Sequence, residues 1–458
     1  MNSSILWLRQ DLRIGDHPAL AAAVADGSVI PIYILDDETP GRWKIGGAGR
    51  WWLHHSLRTL NSSLEALGSR LILRRGKTAA ELVRLAAETG AGRVHAIRHY
   101  EPWWRSAEDE VAGKLDLVLH DGGRLVPPER VRTGSGEPYK IYTPYWRALQ
   151  ALLPPPAPLP APKRIGAPPS WPASDALEHW ALLPSRPNWA SHFDEDWAPG
   201  EAAAQERLTR FADMANAYGD RRNLPAEEGT SRFSAHLHFG EVSPAQIWSS
   251  LPPGSGDKFR GELAWRDFSA NVMLGQPEIG TRDGRPAFED FPWRDDARAD
   301  EDFRAWSRGR TGYPIVDAGM RQLWTTGWMH NRVRMITASF LVKHLLIDWR
   351  RGTDWFWDTL VDADYGNNGQ NWQWVAGTGV DAQPFNRIMA PLAQSEKFGA
   401  GDYIRRWVPE FAGLPDDLIH DPGDRRPPGY PAKLVEHRAG RERALAALAA
   451  FRASGGRG

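Results

Sequence analysis

Residues 5–35 read ILWLRQDLRIGDHPALAAAVADGSVIPIYIL, and this stretch decides the fold of the N-terminal part. It holds an apolar run at 5–8, helical spacing at 18–25, and a second apolar, β-branched run at 29–35. A strand, a helix and a strand in about 30 residues make one βαβ unit, whose strands run parallel. Helical spacing returns at 51–67, 79–89 and 107–114, and short apolar runs at 70–74, 94–97 and 115–119. The alternation predicts an α/β N-terminal domain over residues 1–130, a doubly wound parallel five-stranded sheet. Such a sheet opens a ligand crevice at the carboxyl ends of its strands. The chain leaving the first run reads Arg9, Gln10, Asp11, Leu12, Arg13, which lacks the glycine fingerprint of a dinucleotide site. Glycines 46, 47 and 49 read as a turn before the next helix.

Eight prolines fall between Pro154 and Pro169, a density that forbids helix and favours an extended connector. Residues 131–200 are therefore read as a long Pro-rich interdomain linker. From Ala202 onward apolar residues recur at three- and four-residue spacing, so residues 201–458 predict an all-α C-terminal domain. The absence of cysteine excludes disulfides, thiolate metal sites and a cysteine nucleophile. A net charge of −1 gives no bulk attraction for nucleic acid, so any DNA contact must rest on a local basic cluster. Arg9 and Asp11 interrupt the first apolar run, so no signal-peptide pattern opens the chain, and no apolar run is long enough to span a bilayer. The expectation is a cytoplasmic monomer with no membrane contact and no obligate protein partner.

Tryptophan occurs 23 times, and eight of these fall between Trp306 and Trp374. Indoles bury much apolar area, so core packing explains most of them singly, but not their density in one segment. Upstream, Thr230, Ser231, Arg232 and Ser234 place three hydroxyls and a guanidinium at a helix start, suited either to capping the helix or to holding a phosphate. Glu262, Trp265 and Arg266, at i, i+3 and i+4, share one helix face, where an aromatic plane beside charge suits a nucleobase. On a helix beginning near Trp328, the residues Trp328, Asn331, Arg334 and Met335 fall on one stripe of an otherwise apolar face; Asp362 and Asp364 follow, and Asp362 is a partner for Arg334. The segment 367–374, rich in amides and glycine, reads as a ligand-hugging loop and not as an ordinary helix.

Longer blocks carry a resemblance. TSRFS from Thr230, GELAWRDF from Gly261, TGYPIVDAGMRQLWTTGWMHNRVRMITASFLVKHLLIDWR from Thr311 and NWQWVAGTGVDAQPFNRI from Asn371 resemble the flavin domain of the photolyase/cryptochrome family. WLRQDLR from Trp7 and TGSGEPYKIYTPYWRA from Thr133 are similar to its sheet domain. The resemblance covers nearly the whole chain and stands nearest the bacterial class I cyclobutane pyrimidine dimer photolyases.

The resemblance implies an FAD cofactor. Tyr218, Thr230, Ser231, Arg232 and Ser234 would hold its pyrophosphate region, and Asn331, Arg334, Asp362, Asp364 and Asn368 its isoalloxazine and ribose. Trp306, Trp349 and Trp372 match a relay of indoles from surface to flavin, while Trp324, Trp355 and Trp357 are left as core packing. Glu262, Trp265, Arg266, Asn331, Met335 and Trp374 would meet a flipped-out pyrimidine dimer in DNA, and Arg222, Arg332 and Lys397 the phosphates. Lys44, Trp103 and Trp104 stand where folate-binding members carry a histidine and an Asn-Glu pair. A second antenna chromophore would then be a deazaflavin or a flavin, or there would be none. The implied activity is light-driven dimer repair. A cryptochrome-type photoreceptor and a (6-4) photolyase are the alternatives; the first would favour a long C-terminal tail, where this sequence ends after a helix at about 433–453, and the second a histidine in place of Asn331.

Overall fold

The computed structural model describes residues 3–252 and 254–455. Strands β1 (Ser3–Leu8), β2 (Ser28–Leu35), β3 (Ile72–Arg75), β4 (Arg93–Ile97) and β5 (Asp116–His120) form one parallel sheet in the order β3-β2-β1-β4-β5. Ile5 of β1 stands opposite Ile30 of β2 and Val94 of β4. Every residue of β1 and β2 is buried, which is why these strands read as continuous apolar runs without alternation. Helices Pro18–Asp26, Gly47–Ala66, Thr78–Thr89 and Pro102–Ala112 make the connections.

Strand order reverses between β1 and β4, the place where such sheets bind ligands. Here that place carries side chains: Arg9, directly after β1, donates to Glu108 at 2.6 Å and lies 3.9 Å over the Trp7 ring, with Trp104 edge-on to Trp7. The proline-rich segment is tied down along the sheet. Val29 N donates to Gly166 O at 2.9 Å, Ile165 N to Leu67 O at 2.9 Å, and Leu159 N to Asp16 at 3.0 Å. It is therefore part of the sheet's surroundings and not a free spacer.

The chain forms two compact units: Met1–Asn216 with Ser231–Pro277 and Val361–Ala363, and Ala217–Thr230 with Glu278–Leu360 and Asp364–Gly458. Buried carboxylates bind helices beyond residue 200 into the first unit. Glu201 accepts from Ile14 N and Gly15 N at 2.7 and 2.8 Å, and Glu241 from Trp52 Nε1 and Gly200 N at 3.0 and 2.8 Å. Asp267, on helix Asp257–Gly275, accepts from Leu125 N at 2.8 Å, and burial pushes its carboxyl up to about 6.

The second unit is built from helices, among them Ala297–Ser307, Pro314–Thr326, Asn331–Ser339, Trp349–Thr359, Tyr365–Ala376, Pro391–Lys397 and His437–Ala453. Pro314 opens one of them, and Gly327 closes it in the left-handed conformation. A π-turn over Phe340–His344 follows the Asn331 helix and carries the fully buried Lys343. Its ammonium donates to Ala376 O at 2.5 Å, at the carbonyl end of helix Tyr365–Ala376, and sits 3.3 Å over the Phe385 ring. Among the described residues no helix is long and apolar enough to cross a membrane.

Candidate flavin and substrate site

In the first unit the segment around Ser231 does not spend its hydroxyls on capping. Helix Ser234–His238 has Phe233 at its N-cap with no side-chain bond, Ser231 Oγ accepts only a long 3.5 Å contact from Phe233 N, and the Ser234 hydroxyl makes no hydrogen bond among the described residues. Arg232 holds a left-handed φ of 53°, a strained state for a residue with a side chain. Its guanidinium is 3.5 Å from Asp196 Oδ1 and stacked 4.5 Å over Trp197. In the second unit the Thr230 hydroxyl is likewise unspent. Unpaired hydroxyls beside a fixed cation fit a phosphate group better than they fit a helix cap.

On helix Asp257–Gly275, Glu262 and Trp265 share the half-buried face, opposite the buried Leu263, Ala264 and Phe268. Trp265 is held flat. Tyr142 stacks on it at 3.6 Å between ring centres with planes 6° apart, and the Tyr142 hydroxyl donates to Gly261 O at 3.0 Å. Burial and the Glu262 carboxylate push the Tyr142 phenol up. Sequence reading missed Tyr142; it lies over a hundred positions before Trp265, and only the aromatic repeat YTPYW pointed at it. Arg266 is engaged with backbone: its terminal nitrogens donate to Gly123 O at 2.7 Å and Leu237 O at 3.1 Å. Asp362, in the same unit, is buried.

In the second unit, helix Asn331–Ser339 begins at Asn331, with His330 as its N-cap, so Trp328 precedes it rather than sharing its stripe. Asn331, Arg334 and Met335 occupy the accessible face; Val333, Ile336 and Thr337 face the core. Arg334 Nε donates to Met329 O at 2.7 Å. The amide-rich segment is also not a loop. Tyr365–Ala376 is a regular helix, because Asp364 caps it through Asn367 N at 2.8 Å, Gly377 closes it, and its amides serve tertiary bonds. Gln373 Nε2 donates to Ile279 O at 2.6 Å and Arg282 O at 2.8 Å, and Gly369 packs against the Ile279 carbonyl. Asn368 donates from Nδ2 to Thr353 O at 3.2 Å, and among the described residues its Oδ1 accepts no bond. Trp374 is half-buried on this helix.

The near-neutral total conceals a local basic cluster. Burial together with Arg332, Arg334 and Arg222 pushes the His330 imidazole down to about 4, and burial with Arg222 and Arg387 lowers Arg332. Arg332 donates to Asn223 Oδ1 at 2.7 Å and lies 4.5 Å over Phe398; the exposed Lys397 approaches the same ring at 5.4 Å. Arg222 stacks over the buried Tyr218 at 5.3 Å.

The tryptophans differ in exposure. Trp306 and Trp349 are 0 % exposed and Trp372 3 %, so none of the three is a surface terminus. Trp306 touches Trp372 with ring centres 6.2 Å apart. From Trp306 the rings continue through Phe303 at 5.6 Å and Trp355 at 6.5 Å to Trp324, stacked on Trp355 at 6.1 Å. Trp324 is 50 % exposed, which corrects its assignment to core packing. Trp349 stands one turn before Gly352, the residue against which the Trp372 ring packs.

The first unit thus carries a doubly wound sheet, a phosphate-ready segment and a clamped tryptophan, and the helical second unit a buried indole cluster. Residues 259–450 match the family model described as the FAD binding domain of DNA photolyase, and residues 4–163 the model described as DNA photolyase. The chain is 47 % identical to the deoxyribodipyrimidine photo-lyase of Agrobacterium fabrum, over 98 % of each. It is 46 % identical to a solved bacterial class III photolyase from Agrobacterium tumefaciens, with a TM-score of 0.93 over 99 % of this chain and 98 % of that one. That is a different branch from the class I placement the motifs suggested. A Sulfolobus tokodaii photolyase structure holding two FAD molecules, 27 % identical, aligns over 98 % of this chain and all of its own with a TM-score of 0.83. The chain belongs to the photolyase/cryptochrome family and is an FAD-dependent enzyme of the DNA photolyase kind.

Proposed function

We propose that this chain repairs cyclobutane pyrimidine dimers in DNA under light. Bound FAD supplies the absorption of light and the electron donated to the dimer; the protein supplies binding, orientation and electrostatics. The observation that carries the reading is the clamped pair on helix Asp257–Gly275: Trp265, fixed flat by Tyr142, offers an apolar wedge beside the Glu262 carboxylate. A carboxylate there accepts hydrogen bonds from the N–H edge of an extruded thymine, and extrusion is cheapest for a damaged, poorly stacked pair. Asn331, Met335 and Trp374 complete the dimer contacts. Arg222, Arg332 and Lys397 take phosphates, with salt-dependent affinity despite the near-zero net charge.

Tyr218, Thr230, Ser231, Arg232 and Ser234 hold the pyrophosphate region of FAD, and Asn331, Arg334, Asp362, Asp364 and Asn368 its ring and ribose. The free Oδ1 of Asn368 supports a role for that amide at a flavin nitrogen. Trp372, Trp306 and Trp349 carry electrons toward the flavin, and the aromatic contacts from Trp306 support an outlet at Trp324.

The test is illumination of the reduced, FAD-loaded protein with dimer-containing oligothymidine, followed as recovery of thymine absorbance; no recovery refutes the proposal. Glu262→Ala is expected to lower repair yield more than FAD content, and the reverse would make Glu262 structural.

A further inference from the structure

Trp306 and Trp349 are equally buried, but their indole N–H groups meet different acceptors. Trp306 donates to the backbone carbonyl of Thr337 at 3.1 Å. Trp349 donates to Oδ1 of Asp283 at 2.9 Å. The Asp283 side chain has no exposure, and its other oxygen accepts from Arg350 Nη2 at 2.7 Å. Arg350 also reaches Glu289 at 2.9 Å and Asp348 at 3.2 Å, and its guanidinium stands 4.7 Å over the Trp349 ring. Arg282 lies 3.5 Å from Glu289 at the exposed edge. With Glu278, 3.7 Å from Arg282, four carboxylates thus face the two guanidinium groups of this cluster, leaving a surplus of negative charge.

An indole that loses an electron becomes a cation with a strongly acidic N–H. Inside a protein such a charge is costly unless it is paired or removed. A peptide carbonyl can share the N–H proton but is too weak a base to keep it. A carboxylate can do either, and a bond from N–H to an ionised acceptor is about twice as strong as a neutral one. Burial pushes the Asp283 carboxyl above its ordinary range, which makes it a better acceptor, while Thr378 and then Arg350 oppose that shift.

We propose that Asp283 is the positioning and proton-accepting partner of Trp349 during light-driven reduction of the enzyme, so that the oxidised state settles on Trp349 as a neutral radical. The proposal rests on the relay reading above. An electron passes from Trp349 to Trp372, which has itself given one to the photoexcited flavin. The Nε1 proton crosses to Asp283 Oδ1, leaving an indolyl radical and a neutral carboxyl group. When an external thiol returns the electron, the proton goes back to Trp349. The cation of Arg350 above the ring discourages oxidation until the carboxylates offset it, so Asp283 and Arg350 act with opposite signs.

The experiment compares FAD-loaded wild type, Trp349→Phe, Asp283→Asn and Arg350→Gln by transient absorption after a light flash, in H2O and D2O. Asp283→Asn keeps an acceptor oxygen but not the charge. It is expected to slow photoreduction roughly tenfold, to turn the tryptophan signal from neutral radical to cation radical, and to abolish the solvent isotope effect. Arg350→Gln is expected to speed the same step, which a merely structural role would not do. A dark measurement, the Trp349 indole 15N–1H resonance, should move upfield in Asp283→Asn as the strong hydrogen bond is lost. If Trp349→Phe slows photoreduction while Asp283→Asn leaves the rate, the radical form and the isotope effect as in wild type, the role of Asp283 is refuted and the relay survives. If Trp349→Phe changes nothing, the relay reading through Trp349 falls, and the role of Asp283 with it.

Discussion

Replacing Gly352 by alanine adds one methyl group at the position that seats Trp372. An ideal Cβ there would lie 2.2 Å from Cη2, 2.5 Å from Cζ3 and 2.7 Å from Cζ2 of the Trp372 ring, where ordinary contact begins at 3.4 Å. The ring cannot retreat, since it is 3 % exposed and enclosed by Phe356 at 5.0 Å and Trp306 at 6.2 Å between ring centres. Overpacking of this kind costs about 3 kcal/mol, and the better helix propensity of alanine returns about 1 kcal/mol. The expected net loss of about 2 kcal/mol lowers the folded-to-unfolded ratio some 30-fold, roughly a decade per 1.4 kcal/mol. Gly413, with nothing within 4 Å of its added Cβ, is the control, and its alanine variant should be neutral or slightly stabilised. Urea unfolding reads the shift as a lower midpoint with unchanged slope. Photoreduction of the FAD-loaded protein should slow in parallel, because Trp372 must move. A Gly352→Ala protein with the wild-type midpoint and the wild-type photoreduction rate would refute the placement of Trp372 against this helix.

Tyr142→Ala removes the platform under Trp265 and is expected to cost about 1 kcal/mol of aromatic stacking, seen as weaker binding of dimer-containing DNA; Tyr142→Phe should restore it, and equal loss in both variants would assign the effect to the Gly261 hydrogen bond. Arg332→Gln should lower affinity for all DNA sequences alike and reduce the slope of log K against log salt by about 1; an unchanged slope would remove Arg332 from the phosphate contacts. His330 has a folded pKa of about 4 against about 6.5 in the unfolded chain, so between those values only the unfolded chain binds the proton and stability falls as pH drops. His330→Asn, which keeps an N-capping side chain, should flatten that fall in denaturation curves taken from pH 7 to pH 4, and an unaltered slope would show that His330 does not supply it.

The sheet was legible because its strands are buried on both faces, so β1 and β2 appear as unbroken apolar runs. The helical half was legible from its spacing. The helix at Tyr365–Ala376 was not, because Asn367, Asn368 and Gln373 look like loop residues until their bonds to Asp364, Thr353 and Ile279 are seen. Spacing on one helix did bring Glu262 and Trp265 together, but it could not show that Arg266 turns inward to two carbonyls. Exposure is set by the tertiary structure, so nothing local distinguished the sealed Trp306 from the open Trp324. Tyr142 and Asp283 were missed for the same reason: each meets its tryptophan across a long separation in sequence, at 3.6 Å and 2.9 Å respectively.

The exposure pattern constrains how oxidising equivalents leave the protein. A positive charge on a sealed indole is expensive in a low-dielectric interior, so a relay of buried rings alone returns its electron to where it started unless a proton acceptor or an exit intervenes. The second unit offers one of each. On one side the rings run from Trp372 through Trp306, Phe303 and Trp355 to Trp324, where solvent reaches half the surface of the indole and an external reductant can meet it. Phe303 is much harder to oxidise than tryptophan, so transfer from Trp355 to Trp306 crosses it as a bridge and not as a stopping point. On the other side Trp349 ends at a buried carboxylate. On the proposed relay the two branches would answer the same electrostatic problem in different ways, one by carrying the charge to water and the other by giving up the proton, and which dominates would depend on the charge held around Asp283.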